Sequence, residues 1–105
     1  MRTFFGCTFI ENEKLEEAGI KHPIKYEYYK ETNEEYIDSK EKAKFGIQIV
    51  KTEYLTNKPK VETKTIKYIT NDEQEEDRIL TIFRENQVSL ANCEEIISEL
   101  LRKNF

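Results

Sequence analysis

The spacing of apolar residues changes once along this chain, and that change restricts the folds available to it. In the regular segments before residue 70, apolar side chains recur at every second position, which is the period of a β-strand. After residue 70 they recur at every third or fourth position, as in an α-helix. Strands followed by helices, without alternation of the two, are typical of an α+β domain. We therefore predict a mostly antiparallel sheet of three or four strands, packed against a C-terminal two-helix hairpin.

The first half of the chain contains two segments that alternate as strands do. In "RTFFGCTFI" the side chains of Phe5, Cys7 and Phe9 fall on one side, the apolar face of the predicted strand. "HPIKYEYYKET" likewise groups an isoleucine and two tyrosines on one side: Ile24, Tyr26 and Tyr28. Between the two segments, residues 12–19 have an asparagine cap and a glycine stop, so a short helix is predicted there.

Two further strands flank the sequence "TNKP", whose asparagine and proline indicate the turn of a β-hairpin. The first, "KFGIQIVKTEYL", alternates from Phe45 to Ile49 and then changes phase at Val50, as a β-bulge would produce. The second, "KVETKTIKYIT", changes phase in a similar way after Thr65. The polar segment of residues 33–43 precedes this hairpin and is predicted to be a loop.

Helical spacing begins with "TNDEQEEDRILTIFREN". Three residues are possible caps, Thr70, Asn71 and Asp72, and of these Thr70 with Glu73 fits a capping box. Carboxylates crowd the first turn, where the helix dipole favours them. Asn86 ends this predicted helix, whose apolar stripe has four members: Ile79, Leu80, Ile82 and Phe83. A second helix follows, capped by either Ser89 or Asn92. Its apolar stripe has five members: Cys93, Ile96, Ile97, Leu100 and Leu101.

Few residues in this chain have the arrangement that catalysis or metal binding requires. Cys93 lies on the apolar stripe of a helix, where a cysteine usually acts as a small hydrophobic residue. His22 is the single histidine, and it precedes a proline at the start of a predicted strand. The three glycines form no phosphate-binding motif, and the two cysteines have no metal-ligand spacing. We therefore expect no enzyme, no cofactor and no metal.

Length and charge restrict the function further. The 105 residues suit one domain, so residues 1–105 are expected to share one core. The net charge of -4 is modest and mixed, which gives no argument for a polyanion or membrane partner. No segment approaches the roughly 20 apolar residues of a membrane span, and the cysteine usage indicates a reduced, cytoplasmic location.

The predicted hairpin is basic although the whole chain is acidic. Five lysines oppose two glutamates between Lys51 and Lys67, which makes this segment net +3. Lysines on an edge strand usually prevent aggregation, whereas lysines interleaved with tyrosines also suit nucleic acid. As the first candidate surface for a partner we take seven residues of the hairpin: Lys51, Tyr54, Lys58, Lys60, Lys64, Lys67 and Tyr68.

We expect a small non-enzymatic regulatory or adaptor protein that acts through protein–protein interaction. An unidentified protein, or a second copy bound through a sheet edge or the last helix, is the expected partner. A nucleic-acid-binding module using the basic hairpin of residues 51–68 is one alternative, with nucleic acid the less favoured partner. A phage-type inhibitor of a host enzyme is the other, suggested by small size, acidity and a composition typical of AT-rich genes.

The segments "KYEYY", "FGIQIVKTEY" and "IKYITNDEQEEDRILTIFRENQVSLANCEEIISELL" resemble a family of small, functionally uncharacterised proteins of clostridial and related spore-forming bacteria. The resemblance covers roughly residues 25–102 and is most specific at the Asn-x-Val-Ser turn between the helices. In the family pattern this turn usually continues with proline and then histidine, where this chain has Leu90 and Asn92. The resemblance implies a bacterial cytoplasmic protein with an α+β fold, and it makes residues 1–20 look like an addition.

Overall fold

The computed structural model describes residues 1–10, 19, 22–33, 43–55 and 57–102. Within these residues there are four strands, β1 (Arg2–Ile10), β2 (Ile24–Thr32), β3 (Phe45–Tyr54) and β4 (Pro59–Thr70), and two helices, α1 (Glu73–Glu85) and α2 (Cys93–Arg102). The short helix predicted at residues 12–19 and the loop predicted at residues 33–43 fall almost wholly outside the described residues.

The four strands form one antiparallel sheet in the order β1-β2-β3-β4. Both helices pack on one face of it, which we call the covered face, and their buried residues join those of the central strands in one core. The predicted α+β fold, with a sheet packed against two C-terminal helices, is therefore confirmed. The core consists of Ile24, Tyr26, Tyr28, Ile47, Ile49, Ile79, Leu80, Phe83, Val88, Cys93 and Ile97.

Tyr28 on β2 links the sheet to the chain that joins the two helices. Its ring lies 6.3 Å from that of Phe83, and its hydroxyl donates a 3.0 Å hydrogen bond to the carbonyl of Val88. The buried hydroxyl is thus satisfied, and burial raises the pKa of Tyr28 above its ordinary value. The prediction that Ile24, Tyr26 and Tyr28 share a face is confirmed, since all three are buried.

Strand β1 contains a bulge that the alternation of its residues did not reveal. Its register against β2 shifts between Phe4 and Gly6, which leaves Phe5 as an extra residue. One extra residue moves every later side chain to the opposite face. Phe5 packs against the core, whereas Cys7 and Phe9 lie on the other face of the sheet. The prediction that these three side chains share a face is therefore wrong.

Of the two bulges predicted in the hairpin, the one in β3 is wrong, whereas β4 has an irregularity that begins one residue after the predicted change of phase. Strand β3 pairs with both neighbours in unbroken register from Gln48 onward, so no bulge follows Ile49. Its change of phase instead records apolar residues that lie on the face without helices. In β4 the irregular stretch lies between Ile66 and Thr70, where the backbone passes over Gly46. A Cβ atom on that glycine would meet two backbone carbonyl oxygens.

The N-cap of helix α1 lies two residues after the predicted cap, Thr70. Its N-cap is Asp72, whose carboxylate accepts a 2.9 Å hydrogen bond from the amide of Gln74. The hydroxyl of Thr70 instead accepts from the amide of Asp72 at 3.1 Å, so the pairing of Thr70 with Glu73 is wrong. Asn86 follows the last helical residue, as predicted, and three members of the apolar stripe are fully buried: Ile79, Leu80 and Phe83.

Helix α2 begins at Cys93, directly after one of its two candidate caps. The carbonyl of Asn92 accepts a 3.1 Å hydrogen bond from the amide of Ile96, which closes the first helical turn. Cys93 and Ile97 are buried, and the rest of the predicted stripe packs against the core: Ile96, Leu100 and Leu101. The apolar stripe of this helix is therefore confirmed. Among the described residues, neither helix has the length and apolar character to cross a membrane.

Candidate interaction surface

The face of the sheet opposite the helices, which we call the open face, has no element packed on it among the described residues. Strand register assigns to it Arg2, Phe4, Cys7 and Phe9 on β1, Lys25, Glu27, Tyr29 and Glu31 on β2, Gln48, Val50, Thr52 and Tyr54 on β3, and Val61, Thr63 and Thr65 on β4. Its largest apolar side chains are well exposed: Phe4 by 54%, Phe9 by 52% and Val61 by 59%. Large contiguous areas of exposed apolar side chains are a feature of interaction sites, so this face is the candidate surface.

Aromatic rings stand at both ends of the open face. At one end Phe4 meets the ring of Tyr29 edge to face, with 5.5 Å between centroids, and the guanidinium of Arg2 lies 4.0 Å from the same ring. At the other end the rings of Phe9 and Tyr54 are 6.0 Å apart. These contacts join β1 to β2 and to β3. Each ring is thereby held in place while one side of it stays accessible.

A chain of hydrogen bonds crosses the open face at the end where Phe4 and Tyr29 meet. Arg2 Nη1 donates to Gln48 Oε1 at 2.5 Å, and Gln48 Nε2 donates to Thr65 Oγ1 at 3.0 Å. The hydroxyl of Tyr29 donates to the Glu27 carboxylate at 2.6 Å. That hydrogen bond raises the pKa of Tyr29. Five polar side chains of this face therefore already have partners within it: Arg2, Glu27, Tyr29, Gln48 and Thr65.

Most of the lysines predicted to bind a partner lie on the covered side of the sheet, beyond the helices or beside them. Each of three has a carboxylate oxygen near its Nζ atom: Lys51 with Glu53 at 3.0 Å, Lys60 with Glu62 at 3.1 Å, and Lys64 with Glu94 at 2.6 Å. These pairings lower the positive potential of the hairpin. The nucleic-acid hypothesis stays a prediction, which titration of labelled DNA and RNA at low salt would test.

The remaining predicted residues are dispersed. Tyr54 is on the open face, Lys58 is exposed in the β3–β4 turn, and Lys67 lies 5.4 Å from the ring of Tyr68 in the irregular part of β4. The seven residues therefore do not form one surface. Sequence reasoning missed Phe9 as an open-face residue. Gly6 was the available signal, because a glycine inside a strand often marks a bulge.

One buried carboxylate is held in an unusual environment at the start of α1. Glu76 is fully buried, and neither oxygen of its carboxylate has a hydrogen-bond partner among the described residues. The ammonium of Lys30 lies 3.9 Å away but is 2.8 Å from both Glu73 and Asp77. Burial raises the pKa of Glu76 to about 7, against the opposing effect of Lys30. Negative charges of Asp77, Glu73 and Glu31 raise it further.

The two residues considered for nucleophilic chemistry have other partners. His22 Nε2 and Glu53 Oε2 are 2.8 Å apart in a half-buried ion pair at one end of the sheet. The thiol of Cys93 donates to the carbonyl of Leu90 at 3.3 Å. Burial raises the pKa of Cys93, which disfavours the reactive thiolate. This geometry suits structural roles for both side chains.

A family model with the description "Family of unknown function (DUF6514)" matches residues 7–103. The match begins within β1 and includes residues 7–20. The expectation that residues 1–20 are an addition to the common pattern is therefore wrong for residues 7–20. Pairing of β1 with β2 agrees with this extent, since both belong to the same sheet. No curated protein and no solved structure matches the chain.

Proposed function

The chain belongs to DUF6514, a family of unknown function, and we propose that it acts as a non-enzymatic regulatory or adaptor protein by binding another protein. The observation that carries this proposal is the open face, where exposed Phe4, Phe9 and Val61 share one side of a rigid sheet. The partner would take the place that a second helical layer occupies in a sheet covered on both sides.

Burial of these side chains would supply binding energy. A fully buried phenylalanine or valine gains roughly 1.5–3 kcal/mol, so half-exposed Phe4 and Phe9 would each gain about 1 kcal/mol more in a complex. Tyrosine and arginine are frequent at the centres of interfaces, and the Arg2–Tyr29 contact places one of each beside Phe4. Because these groups are already ordered, little conformational entropy would be lost on binding.

We further propose that the protein works in the bacterial cytoplasm. Both cysteines are free thiols, and Cys7 is exposed on the open face. Exposed free thiols are maintained in reducing compartments and are rare in secreted proteins. An exposed thiol on the open face therefore fits a reducing environment.

The experiment that tests the proposal uses a photocrosslinking amino acid in the cells that make the protein. Benzoylphenylalanine replaces Phe9 on the open face or, as the matched control, Ser98 on the exposed side of α2. Irradiation is expected to give a discrete crosslinked species with the probe at position 9 and none at position 98. Mass spectrometry then identifies the attached protein.

An absence of crosslinked species at position 9, and also at positions 4 and 61, would overturn the proposal. Equal crosslinking from position 98 would overturn the assignment of the open face, because a partner bound there does not reach the helical layer. Circular dichroism of the purified variants confirms that each is folded before the comparison is made.

A further inference from the structure

The charges on the open face cancel, although the chain as a whole is acidic. Two positive and two negative side chains occupy its register positions: Arg2, Lys25, Glu27 and Glu31. The open-face positions of β3 and of regularly paired β4 are uncharged, being glutamine, valine, threonine and tyrosine. Two copies with a net charge of -4 each repel one another in most orientations. The open face is a surface on which that repulsion is small.

Several polar groups on this face already have partners within it. Arg2 is bonded to Gln48, and Gln48 to Thr65, while Lys25 lies 3.7 Å from Glu27. Covering the face would remove water without leaving these groups unpaired, which keeps the desolvation cost low. A highly charged partner would gain few new ion pairs here. The face therefore favours an occupant whose contacting surface has no net charge and is rich in aromatic and β-branched residues.

The area of the open face is sufficient for an interface with such a partner. Four strands spaced about 4.8 Å apart, each of about nine residues at 3.3 Å, give a face of about 600 Å². Two such faces in contact bury about 1,200 Å² in total, which is the lower limit of specific interfaces. A face of this size is sufficient for a dimer of modest affinity, without a contribution from the helices.

We propose that the open face binds the open face of a second copy of the chain, so that two sheets pack face to face with the helices outside. Aligned sheets pack about 10 Å apart, a distance that the exposed side chains of Phe4, Phe9 and Val61 span by interdigitation. The contact is isologous, with the same patch on both copies, and it closes at two copies. This inference rests on the proposed function and names its partner.

The test is sedimentation equilibrium of the purified full chain over about three decades of concentration. Three proteins are compared: the wild type, the open-face variant Val61→Lys, and the control Ser98→Lys, which adds the same charge on exposed α2. The wild type and the control are expected to form dimers. Val61→Lys is expected to raise the dimer dissociation constant by about tenfold or more, because it places two like charges in the interface.

The exposed thiol of Cys7 gives a second measurement that does not depend on a substitution. Cys7 occupies the open face, so its alkylation is expected to slow by about tenfold at concentrations where the dimer predominates, as the free fraction falls. In Val61→Lys the slowing is expected only at concentrations higher by about tenfold or more, because its dimer is weaker. A Cys7 rate that is independent of concentration in a dimeric wild type would overturn the face-to-face arrangement.

The failure of this inference is distinguishable from the failure of the proposed function. A wild type that is monomeric at every concentration overturns the dimer, while a crosslink from position 9 to a different protein would still support the proposed function. A dimer that Val61→Lys leaves intact overturns the open face as the site of self-association. Loss of crosslinking at position 9 in cells, together with a monomer in solution, overturns both.

Discussion

The covered and open faces of the sheet are built from alternate residues of the same strands, yet they have different physical roles. Tyr28 is fully buried and bonded to the helical layer, whereas its neighbour Tyr29 is half-buried and contacts Arg2 and Phe4 on the open side. Both are tyrosines in the middle of one strand. The difference shows that the face on which a residue lies, and not its type, determines whether its side chain joins the core or stays partly exposed.

The same comparison in β4 reverses the usual distribution of charge. Lys60, Glu62 and Lys64 point to the covered side, and Val61 and Thr63 to the open side. Helix α1 has 13 residues and is about 20 Å long, whereas β4 has 12 residues and is about 40 Å long. The helices therefore cover only part of the sheet, and paired charged side chains occupy the rest of that side. The open side of the hairpin, without charge, resembles a surface that is covered in an assembly.

The largest expected contrast compares one phenylalanine from each face. Phe83→Ala removes a fully buried ring of α1 and is expected to lower the free energy of unfolding by about 3–5 kcal/mol. Phe9→Ala removes an exposed ring and is expected to cost less than about 1 kcal/mol. Urea denaturation at low protein concentration measures both. Equal costs for the two substitutions would contradict the division into covered and open faces.

The two cysteines, one on each side of the sheet, are expected to differ in the rate at which their thiols are alkylated. At low protein concentration Cys7 is expected to react with iodoacetamide about 10³-fold faster than Cys93, or more, because Cys93 reacts only after unfolding. Burial also raises the pKa of Cys93 and so lowers its thiolate fraction. Mass spectrometry of the two labelled peptides over time gives both rates. Rapid labelling of Cys93 in the folded protein would show that the packing of α2 does not protect this thiol from solvent.

The two glycines within strands, Gly46 and Gly6, differ in what a new Cβ atom would contact. Gly46→Ala is expected to lower the free energy of unfolding by about 2–4 kcal/mol, because the new Cβ meets backbone carbonyl oxygens of Ile66 and Lys67. Gly6→Ala meets only the flexible side chain of Arg84, so its expected cost is below about 1 kcal/mol. Thermal unfolding of the two variants decides the point, and a larger loss from Gly6→Ala would refute it.

The smallest expected effect concerns the pH dependence of the covered face. The pKa of Glu76 rises from 4.5 to about 7 on folding, so the folded protein holds more protons than the unfolded chain between these values. Stability contributed by this group is therefore full below pH 4.5 and is lost as the pH rises through about 7. Glu76→Gln is expected to raise the free energy of unfolding by about 1–2 kcal/mol at pH 8.

The control for this experiment is Glu99→Gln, which removes an exposed carboxylate of α2. Urea denaturation from pH 5 to pH 8 is expected to show the decline in stability in wild type and control, and a flatter profile in Glu76→Gln. The charges that face Glu76 are those of Lys30 and Glu31 from β2 and of Glu73 and Asp77 from its own helix. A decline that persists unchanged in Glu76→Gln would show that Glu76 is not the group responsible for it.

The sequence by itself determined the elements of this protein and most of its core. Periods of two and of 3.6 residues predicted the four strands, the two helices and the buried sides of β2 and α1, because these periods follow from the local direction of successive side chains. Gly46 and Asp72 show the limit of local information. Whether another strand passes over a glycine, or which polar residue caps a helix, depends on backbone that arrives from elsewhere.

Only the tertiary structure decided which residues face outward and which charges are paired. A single extra residue at Phe5 moved Phe9 to the open face, and packing of α2 on the sheet brought Glu94 to Lys64, thirty residues away in the chain. Glu76 has the same helical spacing as an apolar residue, and its burial came from packing on the sheet. Register and packing join distant parts of the chain, and a periodicity carries no information about distant partners. The candidate interaction surface, unlike the elements that form it, therefore became visible only in the assembled sheet.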